Sequence, residues 1–186
     1  MNIILASKSP RRKQLLEQAG FSITVKTKDV DESYPDNLGL DNVAEYISKI
    51  KANAAKCFLE DAYDLIITSD TVVIFENTIL GKPKDKQEAV QILKSLSGKM
   101  HRVITGVSMR SLTKTVSFSD QSSVWFNPLS DEEIDYYLEK YQPYDKAGSY
   151  GIQEWIGLCK ISKIEGTYAN IMGLPVNKIY EQIVKW

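Results

Sequence analysis

The chain has 186 residues, 43% of them hydrophobic, and a formal net charge of −1. That is enough apolar content for a sizeable core, and the length favours one domain. The near-zero charge excludes a global field drawing the chain to nucleic acid or an anionic membrane, and no apolar run approaches the ~20 residues a bilayer span needs.

Ile3-Ile4-Leu5 is a short apolar run that reads as a buried strand. Ser7 and Ser9 break it. Ser9 stands where a helix N-cap belongs, and Pro10 at the favoured first helical position. Leu15, Leu16 and Ala19 follow at helical spacing, and Gly20 ends the helix. Arg11 and Arg12 therefore fall in the first helical turn, where the helix already carries partial positive charge. Two exposed arginines there cost roughly 0.3–1 kcal/mol each unless an anion shares the site. Amide N–H groups, the Ser7 and Ser9 hydroxyls and two guanidinium forks form a phosphate cradle; the alternative is a pair of solvated arginines.

Phe21 to Val25 alternates as a strand, and Asp29 to Pro35 is an acidic loop. Asp41 or Asn42 caps a helix with Val43, Ala44, Tyr46, Ile47, Ile50, Ala54 and Phe58 on its apolar side. Leu65-Ile66-Ile67 reads as a second buried strand, followed by Thr68-Ser69-Asp70-Thr71 and a further apolar run, Val72 to Phe75. Glu76-Asn77 turns a hairpin, Thr78 to Leu80 returns, and Gly81-Lys82-Pro83 breaks the strand. Asp85 opens a helix with Ala89, Ile92, Leu93 and Leu96 inward, closed by Gly98. Val103 to Met109 and Val116 to Phe126 read as long antiparallel strands. Ser130 and Glu133 spell a capping box for a helix through Ile134, Tyr137 and Leu138. Pro143 to Gly157 reads as a glycine-rich loop, Leu158 to Ile164 as a strand, Tyr168 to Met172 as a further strand, and Val176 to Val184 as the last helix. Strands and helices do not alternate strictly, so the expectation is a mixed α/β sheet with helices packed around it.

Asp70 is the sharpest single candidate. It stands between two apolar runs, where an unpaired carboxylate is expensive, so it needs a cation, a set of donors or a raised pKa. It reads as a metal ligand or general base, or else as a turn aspartate bonding its own backbone. Glu32 sits with Asp29 and Asp31, and a divalent cation relieves such crowding; a solvated acidic loop is the commoner outcome. Lys51 is ordinary alone, whereas Lys82, between Gly81 and Pro83, suits a point charge aimed at phosphate. Gln153 offers a donor and an acceptor on one amide, matching the O4 and N3–H edge of uracil or thymine. His101 is the single histidine, and Cys57 and Cys159 are isolated, so a zinc site is not expected and both thiols are expected reduced and partly buried. There is no G-x-x-x-x-G-K-[ST] and no G-x-S-x-G.

These words form an ordered set. Leu5-Ala6-Ser7 with Ser9-Pro10-Arg11-Arg12, Ser69-Asp70-Thr71, Gly81-Lys82-Pro83, Leu96-Ser97-Gly98-Lys99 with His101, Thr105-Gly106-Val107, Lys146 to Gln153 and Gly173-Leu174-Pro175 run nearly end to end. In that order they resemble the Maf family of nucleoside triphosphate pyrophosphatases. The resemblance implies a single domain, 1–186, with the elongated α/β architecture shared with inosine triphosphatases and a cleft between two lobes. It implies metal-dependent hydrolysis of a triphosphate to the monophosphate and pyrophosphate. Asp70 is then the proton acceptor, Glu32 and Asp70 the contacts of a Mg²⁺ or Mn²⁺, and Ser7, Ser9, Arg11, Arg12, Lys51 and Lys82 the triphosphate contacts. Arg12, Thr71 and Gln153 mark the branch resembling dTTP/UTP pyrophosphatases. This chain departs by placing Glu154, then Trp155, where many relatives have glycine after the glutamine. A nucleotide-sensing regulator of cell division without turnover, and the same chemistry on modified or purine nucleotides, are the alternatives. A cytoplasmic location and no nucleic-acid or membrane partner are expected, with a homodimer left open.

Overall fold

The computed structural model describes all residues, Met1 to Trp186. Seven strands form one mixed sheet in the order β2-β1-β3-β5-β6-β7, with β4 paired to β3. They are β1 (Asn2–Leu5), β2 (Ile23–Val25), β3 (Asp64–Phe75), β4 (Thr78–Leu80), β5 (Met100–Arg110), β6 (Thr115–Phe126) and β7 (Ile161–Glu165). The helices are α1 (Pro10–Gln18), α2 (Leu40–Ala55), α3 (Lys86–Leu96), α4 (Asp131–Tyr141), α5 (Trp155–Cys159), α6 (Tyr168–Met172) and α7 (Val176–Val184). The expected mixed α/β class holds. The chain divides into two compact units, and β3, β5 and β6 each contribute residues to both.

The first unit comprises Met1–Thr71, Thr105–Asp120 and Gly173–Trp186. Here β1 runs parallel to both β2 and β3, with Ile3 opposite Ile23 and Leu65. Ile3, Ile4 and Leu5 are all buried, as are Leu65, Ile66 and Ile67; unbroken apolar runs are what a strand covered on both faces requires. Helix α2 lies directly on β5. A Cβ at Gly106 would come within 2.2 Å of the Glu45 backbone nitrogen and 2.3 Å of the Ala44 carbonyl carbon, so only glycine admits this approach.

The second unit comprises Val72–Ile104 and Gln121–Met172. Its β4 is antiparallel to β3, and β7 antiparallel to β6. Helix α3 buries Ala89, Ile92, Leu93 and Leu96 as its periodicity predicts, and the Asp85 side chain caps it through Glu88 N–H. The capping box of Ser130 and Glu133 on α4 is present in both directions. His101 is buried at the centre of an aromatic group. Its ring meets Phe126 and Tyr150 edge-on at 5.2 and 5.4 Å between centroids, and its Nε2 pairs with the Tyr150 hydroxyl at 2.7 Å.

Five expectations are corrected. The polar stretch Thr68–Thr71 does not interrupt the apolar runs: β3 is one strand of 12 residues with Asp70 inside it. It stays extended because its hydroxyls are all paired, Thr68 with Ser48 O at 2.8 Å, Ser69 with Gly173 O at 3.2 Å and Thr71 with Thr105 Oγ1 at 3.0 Å. Helix α2 begins at Leu40, ahead of the expected cap, and buries Ser48, Ala52 and Ala55 rather than Ala54; it ends at Ala55, so Phe58 packs on the Ile4, Ala55 and Ile66 core from the turn beyond it. The segment before β7 is helical, since Gly157 lets α5 close onto the Ile152 carbonyl, which a Cβ would meet at 1.8 Å; β7 therefore starts at Ile161. Tyr168–Met172 is helix and not strand, because the Asn170 amide is drawn inward to Val103 O at 3.1 Å and Ser122 Oγ at 2.9 Å. Cys57 and Cys159 are free and both exposed, not partly buried.

Burial pushes the His101 imidazole down to about 4. The folded state therefore binds fewer protons than the unfolded chain between the ordinary histidine value and about 4. This contribution is intact at neutral pH and is lost as pH falls through that window, reaching roughly 3 kcal/mol at its lower end. Urea denaturation of the wild type and His101→Gln at pH 7 and 4.5 should show the smaller pH-dependent loss in the variant; equal losses would mean that the buried ring does not govern this window.

Candidate functional site

In the first unit the site is assembled from the start of α1, the acidic loop, α2 and the middle of β3. Arg12 is its mechanical centre. Its Nε donates to Gly173 O at 2.9 Å, its Nη1 to Ser69 O at 2.8 Å and to Ser7 Oγ at 3.4 Å, and its Nη2 to Thr71 Oγ1 at 3.2 Å. The rigid fork thus joins the loop before α1, strand β3 and the Gly173 turn, a set that lysine cannot reach from one point charge. Gly173 has φ +110, and a Cβ there would stand 3.3 Å from Thr71 Oγ1 and 3.4 Å from Arg12 Nε, so the turn needs glycine twice over. Desolvation holds the Arg12 pKa below the ordinary guanidinium value; Asp70 pulls it back up, Arg11 pushes it down and Glu32 pulls it up. Asp70, Arg11 and Glu32 are therefore each within electrostatic reach of Arg12.

The second feature is Lys51. Its ammonium lies 2.7 Å from Asp70 Oδ1 and 2.9 Å from Glu32 Oε1. Lys51 and Asp70 are largely buried, with side chains 16% and 14% exposed, whereas Glu32 is 53% exposed. A single cation thus sits between two carboxylates supplied by separate elements. No group of three or more His, Cys, Asp or Glu side chains gathers to hold a metal. The donor set nonetheless suits Mg²⁺ or Mn²⁺, because such an ion characteristically takes one or two carboxylates and completes its shell with water and substrate phosphate.

Ser9 occupies the N-cap of α1, but its side chain makes no capping bond. The Ser9 N–H instead donates to Ser7 Oγ at 3.2 Å. The expected cap is thus right in position and different in chemistry, and the first-turn amides of α1 receive no side-chain oxygen from Ser9.

Lys82 and Gln153 belong to the second unit. Lys82 is exposed in the turn after β4, and that turn is tied to the Lys146–Gln153 segment by the Gly148 N–H, which donates to Gly81 O at 3.1 Å. Gly148 has φ +71, and its missing side chain makes room for Val73. The Gln153 carbonyl oxygen is buried with no protein partner, an acceptor left unused. Glu154 turns back to receive the Tyr137 hydroxyl and the Lys146 ammonium.

Sequence reasoning assigned no role to the Ser69 and Gly173 carbonyls, to Thr105 or to Tyr137. The Gly173-Leu174-Pro175 motif was the available signal for the first of these, but a motif does not say that a carbonyl 161 positions away faces Arg12.

The Arg12 geometry carries a prediction. Arg12→Lys keeps the charge and leaves backbone carbonyls without donors, so it should lower unfolding stability by about 2 kcal/mol. A shift of the urea midpoint at unchanged slope measures this; an unmoved midpoint would show that the fork holds nothing together.

A family model described as Maf-like protein matches residues 2–186. A protein of Porphyromonas gingivalis named dTTP/UTP pyrophosphatase is 50% identical over 186 residues, covering 97% of this chain and 92% of that protein. Proteins of the same name from Bacteroides thetaiotaomicron and Flavobacterium johnsoniae are 49% and 45% identical, covering 98% and 97% of this chain and 95% and 93% of their own lengths. Among solved structures, the Staphylococcus aureus Ham1 protein aligns with 68% of this chain and 72% of its own at a TM-score of 0.48 and 16% identity. With a family model spanning nearly every residue and relatives near half identity over more than nine-tenths of their length, the chain belongs to the Maf family.

Proposed function

We propose that this protein hydrolyses dTTP and UTP to the nucleoside monophosphate and pyrophosphate. The observation that carries the reading is the Lys51 ammonium between Asp70 and Glu32, with Arg12 in the electrostatic reach of both carboxylates. The relatives named dTTP/UTP pyrophosphatase support the substrate class.

A water oxygen bonds to the α-phosphorus, the bridging bond from that phosphorus to the β-phosphate oxygen breaks, and pyrophosphate leaves with the electron pair. The water's proton passes to the Asp70 carboxylate, which Lys51 holds in place. Asp70 and Glu32 would hold a divalent ion, Mg²⁺ or Mn²⁺, which supplies neutralisation of phosphate charge when bound. Arg11 and Lys51 supply positive charge from the protein, and their effect is greatest as negative charge builds on the departing pyrophosphate. The Ser7 and Ser9 hydroxyls and the first-turn amides of α1 offer hydrogen bonds to phosphate oxygens. The part of Arg12 is altered by its geometry: its fork is largely engaged by protein acceptors, so it orients Thr71 and β3 beside Asp70 and adds its charge at a distance. Lys82 is assigned to phosphate and Gln153 to the base on their motifs, with the unused acceptor of Gln153 suited to N3–H of uracil or thymine. On this reading the substrate is a free cytoplasmic nucleotide.

Incubation with UTP, dTTP, GTP and ATP plus Mg²⁺ should give monophosphate and pyrophosphate from the first two. Asp70→Asn, which keeps shape and removes basicity, should lower kcat on UTP by about 10²-fold or more. Turnover near the wild-type rate, or diphosphate and orthophosphate as products, would contradict the assignment.

A further inference from the structure

Glu154, the neighbour of Gln153, is held by contacts that no catalytic step above uses. Its Oε2 accepts the Tyr137 hydroxyl, and its Oε1 lies 3.1 Å from Lys146 Nζ. Lys146 and Glu154 are 11% and 14% exposed, and Tyr137 is fully buried. The Tyr137 oxygen in turn accepts the Gly151 N–H at 3.0 Å. Burial and the Glu154 carboxylate push the Tyr137 phenol up, so the group stays a donor throughout the working pH range. Gly151 completes the arrangement: a Cβ there would meet Glu154 Cδ at 2.7 Å, so the carboxylate occupies the space a side chain would fill. The Glu154 N–H also donates to Gly151 O at 3.1 Å. The residues on both sides of the Ile152-Gln153 pair are therefore fastened, at Gly151 by Tyr137 and at Glu154 by Tyr137 and Lys146. Between them stands the Gln153 amide, whose carbonyl oxygen is buried and unpartnered.

We infer that Glu154 and Tyr137 are positioning residues that set the orientation of the Gln153 amide and hence the preference for a uracil or thymine edge over a cytosine edge. The inference rests on the proposed contact of Gln153 with the base. Uracil presents O4 as acceptor and N3–H as donor, whereas cytosine presents an amine and an unprotonated N3. An amide turned by half a rotation exchanges its own donor and acceptor, so orientation alone decides which edge it favours. Without the Glu154 charge, Lys146 loses this ion pair and the Tyr137 hydroxyl a strong acceptor, so the Gly151–Glu154 turn loosens and the Gln153 amide is free to take either orientation.

The test is a double-mutant cycle read on UTP and CTP. Glu154→Gln should raise the UTP KM about tenfold, leave kcat within about twofold, and shrink the UTP-over-CTP ratio of kcat/KM. In a Gln153→Ala background the same substitution should change the UTP KM by less than about twofold, since its effect passes through Gln153. Tyr137→Phe, which keeps the ring and removes the donor, should act in the same direction and carries the test should Glu154→Gln fail to fold. An unchanged UTP KM and UTP/CTP ratio in Glu154→Gln, or an equal loss in both backgrounds, overturns the inference. If Gln153→Ala alone leaves the UTP/CTP ratio intact, the base-reading role of Gln153 fails instead, and the inference falls with it.

Discussion

A guanidinium withdrawn from water has to be hydrogen-bonded around its edge, and that requirement organises the first unit. Arg12 enters from the start of α1, where the helix offers positive potential rather than relief. Its partners are therefore oxygens: two backbone carbonyls, from Ser69 and Gly173, and the hydroxyls of Ser7 and Thr71. Those groups lie on three separate parts of the chain, the loop before α1, strand β3 and the Gly173 turn, so satisfying one side chain brings the site's elements together. Asp70, flanked in β3 by Ser69 and Thr71, is placed as a consequence. Its carboxylate then meets Lys51 from α2, and Glu32 pairs with the same ammonium.

Such an arrangement is poised electrostatically. Removing either partner of a largely buried pair leaves an uncompensated charge, which is far more costly than never having had the pair. The exposed Glu32 is the adaptable member, since it can exchange the ammonium for another cation without being taken out of water.

Much of this was legible in the chain. The N-terminal strand and helix, the helices from Asp85 and Ser130, and the strands of the sheet follow from apolar periodicity and caps, because those features are local. Asp70 could be singled out because a carboxylate between apolar runs demands a partner. What stayed hidden was long-range. Thr68–Thr71 looks like a break because its hydroxyls need acceptors, and those come from Ser48, Thr105 and Gly173, far along the chain. The Tyr168–Met172 segment follows the Gly166 turn as a returning strand would, yet the Asn170 amide bonds to Val103 and Ser122 fix it as helix. Arg12 reads as a phosphate ligand from its neighbours in sequence, and only its acceptors reveal it as a strut. Glu154 could be singled out beside Gln153, but that its carboxylate would fold onto Tyr137 could not be read, since nothing in a tyrosine 17 positions away announces it.

The central claim is that Asp70 and Glu32, gathered by Lys51, manage a triphosphate and its counter-ion. The most direct measurement is a crystal structure with the α,β-imido analogue of dUTP and Mn²⁺. The account predicts an anomalous Mn²⁺ peak on the Asp70 and Glu32 carboxylates, with analogue phosphate oxygens next to it and against Arg11 and Lys51. A nucleotide bound with its phosphates away from Asp70, Lys51 and the start of α1 would contradict it.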